Sequence, residues 1–309
     1  MFQMERNQAN RLYCVAIGVC FSAFSHLASA ADEGAIPVAS QPDTEVDSSV
    51  QADTSQTPSA MAPDVPRVGQ SQYDGKWHFN LGLGVMVMPK YPGANTHKAD
   101  VLPIVGATNG RFFVGAGPDS PSPFGVGVYL FKSEHFRVGT DVSYDFISPR
   151  KASDDSRLRG LGDVYRTAHA SIFASYDIAW LTAKANIATD IGGKDEGTVG
   201  TFDVLGKYEP IPGVSISAGP GLTYGSSQYM ETFYGVTGAQ SARSGLQERS
   251  ASGGLSTIRF SFNTNYKISE HWGLGTQIAI SRLTGDAADS PIVRSKNQLG
   301  LGVFANYRF

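Results

Sequence analysis

Apolar and polar residues alternate along most of this chain with the period of a β-strand. The pattern is plain in residues 297–309. One face of that segment carries Leu299, Leu301, Val303, Ala305, Tyr307 and Phe309, and most of the other face is Gly, Gln, Asn and Arg. A period of two places successive side chains on opposite faces of a strand. A soluble sheet would expose this apolar face and its unpaired edge to water, so the pattern favours an outer face that meets lipid.

The same alternation recurs from Trp77 onward in segments of roughly ten residues that turn residues separate. We count twelve predicted strands: 77–87, 98–108, 111–117, 124–131, 136–146, 164–176, 181–191, 198–208, 214–226, 254–267, 271–283 and 297–309. Residues 136–146 show the strongest contrast between faces, and residues 198–208 show the weakest. The aromatic residues expected near the strand ends are Trp77, Tyr144, Tyr176, Tyr208, Tyr224, Trp272 and Phe309. Such residues form interfacial girdles in membrane barrels.

The connections between these segments are long and short in turn. Residues 147–163 and 227–253 are the longest, whereas 109–110 is a tight Asn-Gly hairpin turn. An even strand number with long loops on one side and short turns on the other is typical of bacterial outer-membrane proteins. We therefore predict an all-β fold, a transmembrane antiparallel up-and-down β-barrel of about 12 strands over residues 73–309. Its long loops would be extracellular and its short turns periplasmic.

A soluble up-and-down barrel is the structural alternative. A soluble barrel of this strand number would have to fill a wide interior with apolar side chains. The more polar face of most predicted strands is Gly, Ser, Asn and charged residues, which fill such an interior poorly. A closed membrane barrel also leaves no edge unpaired in lipid.

The first thirty residues are typical of a secretory signal peptide. Arg6 and Arg11 precede an apolar stretch over 12–27, and Ala28 and Ala30 form a small-residue cleavage site. A membrane anchor is the alternative, although the apolar run is short for a span of about 20 residues. Both cysteines, Cys14 and Cys20, lie in this segment, so a cleaved chain would contain no disulfide and no catalytic or metal-binding thiol.

Residues 31–72 are rich in Asp, Ser, Thr, Gln, Pro and Ala and have scattered apolar positions. Such a segment buries too little apolar surface to offset its ordering entropy. We predict a disordered acidic periplasmic tail. Residues 31–70 have a formal charge of −6 within a chain of −3, and no part is basic enough to indicate a nucleic-acid partner.

Four short stretches resemble the MipA/OmpV family. They are PKYPGA at 89–94, RLRGLGDV at 157–164, YMETFYGVT at 229–237 and RLTGDAADSPIV at 282–293. The resemblance implies an outer-membrane barrel and a role as a scaffold that links a lytic murein transglycosylase to a penicillin-binding synthase. Other members of the family are tied to adhesion and to osmotic or antibiotic responses.

These four motifs fall in or beside the predicted extracellular loops. Their glycines suit tight turns, so we interpret the motifs as loop-shaping segments that pack against one another at the barrel mouth. A ligand site or surface-partner site at the mouth is the alternative.

Charged residues of both signs are predicted to point into the barrel. By strand parity they are Arg137, Asp141, Asp145, Lys184, Lys207, Arg259 and Arg308. Mixed charge favours a pairing network that fills the lumen, because an unpaired charge there needs water around it. A narrow channel is the alternative and the main functional competitor of the scaffold.

We predict no enzyme, no cofactor and no metal site. No His-Asp spacing or Ser motif distinguishes His78, His97, His169 or the two histidines of the short turns, His135 and His271, which we expect to cap those turns. The carboxylate pairs at 154–155 and 195–196 lack the spacing of a calcium loop. We expect them to be solvated loop charges, or contacts to divalent ions among surface lipopolysaccharide.

The last predicted strand has two expected roles. It should pair with residues 77–87 to close the barrel. By resemblance to other outer-membrane proteins, Val303, Ala305, Tyr307 and Phe309 should also form the C-terminal signal for the barrel-assembly machinery. The expected partners are therefore outer-membrane lipid, lipopolysaccharide and that machinery, in the outer membrane of a Gram-negative cell.

Overall fold

A computed structural model describes residues 75–117, 119–120, 122, 124–145, 147 and 149–309. The predicted signal peptide, its cleavage site at Ala28 and Ala30 and the acidic tail all lie outside the described residues.

The described residues form twelve strands that close into one antiparallel barrel in sequence order. The strands are β1 (His78–Pro89), β2 (His97–Thr108), β3 (Phe112–Gly115), β4 (Gly125–Lys132), β5 (Phe136–Tyr144), β6 (Ala168–Ile178), β7 (Leu181–Asp190), β8 (Thr198–Ile211), β9 (Val214–Gly225), β10 (Gly254–Lys267), β11 (Trp272–Leu283) and β12 (Asn297–Arg308). The predicted fold class and strand number are confirmed.

The barrel closes where the last strand pairs with the first. Leu83 lies opposite Ala305 and Val85 opposite Val303 in this seam. The backbone N–H of Phe309 adds a hydrogen bond of 3.0 Å to the carbonyl of Phe79. The predicted pairing of the two segments is confirmed, and no strand in the described part of the chain is left with a free edge.

The outer surface of the barrel is apolar. Leu83 is 56% exposed and Val303 is 54% exposed, and their neighbours in sequence point inward. All of the aromatic residues predicted for the girdles are exposed as well. A soluble barrel would bury its apolar residues in its interior. Here apolar residues are exposed on the outside of strand after strand, which suits contact with lipid. In the part of the chain that the structure covers, no helix is long and apolar enough to cross a bilayer.

Several strand boundaries differ from the predicted ones, because an apolar residue near a strand end can be buried by loops and a strand can continue beyond the clear alternation. β3 ends at Gly115, where φ is +79°, and the chain leaves the sheet two residues early. β6 begins at Ala168 instead of residue 164, since Val164 pairs with Arg150 and is buried under the loops. β8 extends to Ile211, three residues beyond its predicted end.

The long loops contain short helices. A 3₁₀ turn spans Ser156–Leu158, and α1 (Ser227–Tyr234), α2 (Gly238–Ser244) and α3 (Gly285–Ala288) follow in chain order. The Thr237 hydroxyl accepts from Gln240 N at the start of α2, and the Gln240 side chain accepts from Thr237 N in return. This capping box satisfies two helix-end donors and fixes where the loop enters the helix.

Inward-facing aromatic rings lie over inward-facing glycines of neighbouring strands. Phe113, Tyr129 and Phe173 form a buried cluster in the lumen with ring centroids 5.7 to 6.0 Å apart. A Cβ at Gly127 would lie 2.2 Å from the Phe113 ring, and a Cβ at Gly139 would lie 2.3 Å from the Phe173 ring. The rings therefore occupy space that only glycine leaves free.

Candidate functional site

The lumen near the short-turn end contains a network of paired charges. The Arg137 guanidinium lies between two carboxylates, with Nε 2.8 Å from Asp119 and Nη2 2.6 Å from Asp177. Lys207 Nζ lies 2.7 Å from Asp177, and Lys184 Nζ lies 3.9 Å from Asp119. The network therefore connects β5, β6, β7 and β8 through two carboxylates.

Asp119 reaches this network because β3 is only four residues long. After Gly115 the chain turns inward, and the Asp119 side chain is 4% exposed. Its carboxylate also accepts a hydrogen bond of 2.8 Å from the Tyr129 hydroxyl. The adjacent Ser120 donates to Asp141, whose other oxygen accepts from Ser171. The predicted extracellular loop between β3 and β4 therefore lies partly inside the barrel.

A second charge pair joins β8 to β10 on the inner wall. Arg259 of β10 donates to Asp203 of β8 through Nε at 3.0 Å and through Nη2 at 2.7 Å to each carboxylate oxygen. Its Nη1 donates to the Thr223 hydroxyl of the intervening strand. This ion pair reaches across the intervening strand β9 and involves both carboxylate oxygens. It therefore fixes the side chains of Arg259 and Asp203 in the lumen.

The long loops form a folded cap over one end of the barrel, which two buried apolar clusters hold together. One cluster contains Val164, Met230, Phe233, Tyr234, Ala251, Leu283, Ala287 and Ala288. The other contains Tyr91, Ala94, Leu158, Leu161, Val236 and Ile292. Members of all four motifs occur in these clusters, so their interpretation as loop-packing segments is confirmed.

Polar contacts connect the same loops. The Tyr91 hydroxyl donates to the carbonyl of Ile292 at 3.3 Å, and the Ser290 hydroxyl donates to the carbonyl of Tyr234. Arg150 is 3% exposed and donates to the carbonyl of Phe233. Burial lowers the pKa of the Arg150 guanidinium. Contacts between segments this far apart in sequence make the cap a single packed unit.

The carboxylate pairs in the loops are not simply solvated. Asp155 pairs with Arg294 at 2.6 Å, which joins the β5–β6 loop to the β11–β12 loop. Glu196 is 5% exposed, so the expectation of a solvated loop charge is wrong for this residue. Burial raises the pKa of Glu196, while the nearby His169 acts to lower it. Asp145 lies at the long-loop end of β5, where its carboxylate is 3.5 Å from His169 Nδ1.

The histidines of the short turns lie within hydrogen-bond distance of backbone carbonyls on neighbouring strands. His135 Nδ1 lies 3.0 Å from the carbonyl of Asp177, and His271 Nδ1 lies 2.9 Å from the carbonyl of Arg308. The turn caps are instead Ser133, which accepts from Phe136 N, and Ser269. The expectation that these histidines cap their own turns is therefore wrong, because the preceding serine already does so.

The C-terminal residues of the seam lie where the alternation predicts. Val303 and Phe309 are exposed, and the Phe309 ring contacts Tyr307 with centroids 4.9 Å apart. Tyr307 also stacks on His271 at 5.4 Å. The period-two pattern does not identify a role for Phe304, whose side chain points inward. A Cβ at Gly84 would lie 2.3 Å from the Phe304 ring. The ring fills the space that this inward glycine leaves.

The family model of the MltA-interacting protein MipA matches residues 81–309. The chain belongs to the MipA family. The MltA-interacting protein of Escherichia coli K12 is 24% identical over 234 residues, which is 75% of this chain and 90% of that protein. The YiaT protein of Escherichia coli O157:H7, named as an outer-membrane protein, is 27% identical over 185 residues, 60% of this chain and 74% of that one.

Solved outer-membrane barrels align with this MipA-family chain. An outer membrane channel from Pseudomonas putida F1 aligns over 79% of this chain and 99% of that chain, with 12% identity and a TM-score of 0.43. Family membership and the closed barrel together make this an outer-membrane protein, and its named relatives are outer-membrane or interacting proteins.

Proposed function

We propose that this MipA-family barrel is an adaptor that holds peptidoglycan-remodelling enzymes at the inner face of the outer membrane. Its partners would be a lytic transglycosylase and a penicillin-binding synthase. The name of the Escherichia coli relative, MltA-interacting protein, supports the first of these. In this role the surfaces of the barrel, and not its lumen, are the functional part.

The observation that carries the proposal is the network around Asp119. Arg137 and Lys184 approach this one carboxylate from the barrel wall, and Arg137 and Lys207 approach Asp177. Among the described residues, these lumen charges are paired with one another and joined to a loop inside the lumen, which favours a role at the surfaces over conduction. A barrel built in this way can contribute by binding at its surfaces.

The short-turn end is the surface that would meet wall enzymes, because outer-membrane barrels place short turns in the periplasm. The acidic segment 31–72 would start from the same side. If this segment is flexible, as its composition predicts, forty residues would have a root-mean-square reach of roughly 35 Å by random-coil scaling. We include this segment in the proposed partner surface, with a passive spacer as its alternative.

Capture in cells tests the adaptor role. We expect in-cell crosslinking, affinity purification and mass spectrometry to recover a transglycosylase and a penicillin-binding protein with the full chain. A variant lacking residues 31–70 should recover less if the tail takes part, and equal recovery would leave the tail a spacer. Absence of both enzymes from the full-chain capture, with the barrel folded in the outer membrane, would contradict the adaptor.

A bilayer experiment tests the competing narrow channel. We expect the purified, inserted barrel to show no discrete conductance steps. Steps whose ion preference changes in Arg137→Gln or Arg259→Gln would establish conduction through the lumen and contradict the closed network. Heat-modifiable migration on gels confirms in each case that the protein used is folded.

A further inference from the structure

Three side chains from separate parts of the sequence meet inside the long-loop end of the barrel. They are Asp145 just after β5, His169 of β6 and Glu196 of the β7–β8 loop. His169 Nδ1 lies 3.5 Å from Asp145 Oδ1, and His169 Nε2 lies 3.4 Å from Glu196 Oε2. One potential ligand atom from each residue falls within 4.8 Å of the other two.

Glu196 gives an independent indication that a ligand belongs here. The residue is 5% exposed, and its Oε1 is buried with no hydrogen-bond partner among the described residues. Leaving a buried carboxylate oxygen unpaired is costly, so such an oxygen indicates a missing cation or donor.

The charges of the cluster favour a cation as that ligand. In the described part of the chain, the ion pairs of Asp145 and of Glu196 are both with His169. With both carboxylates ionised, two negative charges share one imidazole, so the cluster is negative whether the histidine is neutral or protonated. A divalent ion would compensate both carboxylates at once.

The loop that carries Glu196 is fixed on one side by Asp190. The carboxylate of Asp190 accepts hydrogen bonds from the backbone N–H groups of Gly192, Lys194 and Glu196. It also accepts a hydrogen bond from the Thr167 hydroxyl. The backbone N–H of Thr167 in turn donates to the Asp145 carboxylate at 3.1 Å. One carboxylate therefore positions the backbone next to two of the three candidate ligands.

Helix α1 fixes the loop from the other side. The Thr232 hydroxyl donates to the carbonyl of Asp195, and the Gln228 amide donates to the Asp195 carboxylate at 3.1 Å. Asp195 itself has φ of +61°, which turns the chain so that Glu196 points inward. These contacts hold the backbone next to Glu196, so the loop and the helix together set the position of this side chain.

We propose that Asp145, His169 and Glu196 bind a divalent transition-metal ion, for which Zn²⁺ is the probe. One imidazole nitrogen with two carboxylate oxygens is a donor set that suits Zn²⁺ and leaves a fourth position open, whereas Mg²⁺ and Ca²⁺ prefer oxygen alone. Because one ion bonds to one ring nitrogen of His169, at about 2.0–2.2 Å, the carboxylate that faces the other nitrogen would have to move toward the ion. The site does not depend on the adaptor role.

Metal binding to the full chain tests this site. The protein, carrying an affinity tag without histidine, is folded in detergent and equilibrated with Zn²⁺ in metal-free buffer. We expect one Zn²⁺ per chain by elemental analysis and a higher unfolding midpoint in urea, because a ligand that binds only the folded state stabilises it. Glu196→Gln and His169→Gln should each weaken binding by roughly tenfold or more.

Glu209→Gln is the matched control, because it removes an exposed carboxylate near the short-turn end of β8, away from the cluster at the long-loop end. We expect it to bind Zn²⁺ like the unchanged chain. Binding that is absent from a heat-modifiable, folded barrel would overturn the site. So would binding that is equal in Glu196→Gln and in the unchanged chain, since the ion would then be adventitious.

Discussion

Ion pairs add to the buried clusters in joining the loops of the cap, and the Asp155–Arg294 pair is one of them. Arg294 donates to Asp155 Oδ1 through Nη2 at 2.6 Å and through Nε at 3.0 Å. Asp155 also accepts from the N–H of Arg157 at the start of the 3₁₀ turn. The hydrogen bonds from Arg294 are the largest cause of a lowered pKa of Asp155. One carboxylate therefore joins two long loops and fixes a turn.

Acid is expected to loosen these loops. A carboxylate whose pKa is lowered in the folded protein stabilises it above the unfolded pKa of about 3.9 and loses that contribution as pH falls through the folded value. We expect hydrogen exchange in residues 147–163 and 284–296, corrected for intrinsic rates, to accelerate below about pH 4. Asp155→Asn should show fast exchange already at pH 7, with little further change in acid. Equal protection of the two chains at pH 7 would contradict this role.

Strands in this barrel depend on glycine for a reason that alternation alone does not reveal. Gly139 of β5 leaves room for the Phe173 ring of β6, and Gly127 of β4 leaves room for Phe113 of β3. Each glycine lies on an inward face, where an aromatic ring of a neighbouring strand covers it. The chain has 35 glycines, and the strand glycines beneath such rings allow bulky residues to pack in the lumen.

Gly139→Ala is expected to destabilise the barrel by about 1–3 kcal/mol, the usual cost of overpacking. Its Cβ would lie 2.3 Å from the Phe173 ring and 2.8 Å from the carbonyl oxygen of Val128, so both ring and backbone must move. Gly200→Ala is the control, since its nearest atom would be 3.8 Å away. Urea unfolding in lipid vesicles measures both variants. Equal unfolding midpoints for the two variants would contradict the close packing of the Phe173 ring on Gly139.

The barrel as a whole is closed by one pairing between the two ends of the described chain. β12 pairs with both β1 and β11, so its assembly completes the hydrogen bonds of the sheet. Phe309 extends the seam through its bond to Phe79, and its ring contacts Tyr307. Because lipid cannot satisfy an open edge, closure at this seam decides whether the barrel can remain in a membrane.

Removing Phe309 is expected to impair assembly before any activity. The variant loses the last hydrogen bond of the seam and, by our proposal, part of the signal that the barrel-assembly machinery recognises. The measurement is the heat-modifiable fraction in isolated outer membranes. Phe131→Ala is the control, since Phe131 is an exposed aromatic at the same end of the barrel, away from the seam. A normal amount of inserted protein without Phe309 would show that this residue is dispensable for assembly.

Most of the barrel can be predicted from the sequence because each strand carries its own period-two pattern. Lipid outside and a polar lumen inside impose that pattern on every strand, and the alternating connection lengths give the topology. The weakest predicted strand, residues 198–208, is nevertheless part of β8. The errors occur at strand ends, as at Val164, where an apolar residue is buried by loops instead of lipid.

Strand parity also places Arg137, Asp141, Lys184 and Arg259 on inward faces, but it cannot identify their partners. Asp119 lies in a segment without periodicity, and its pairing with Arg137 depends on β3 ending early. The proposed metal ligands Asp145, His169 and Glu196 are likewise distant in sequence, so no local spacing connects them. Alternation is a local property that fixes the strands and their faces. Contacts between loops and lumen arise from the path of the folded chain, which places distant residues within bonding distance.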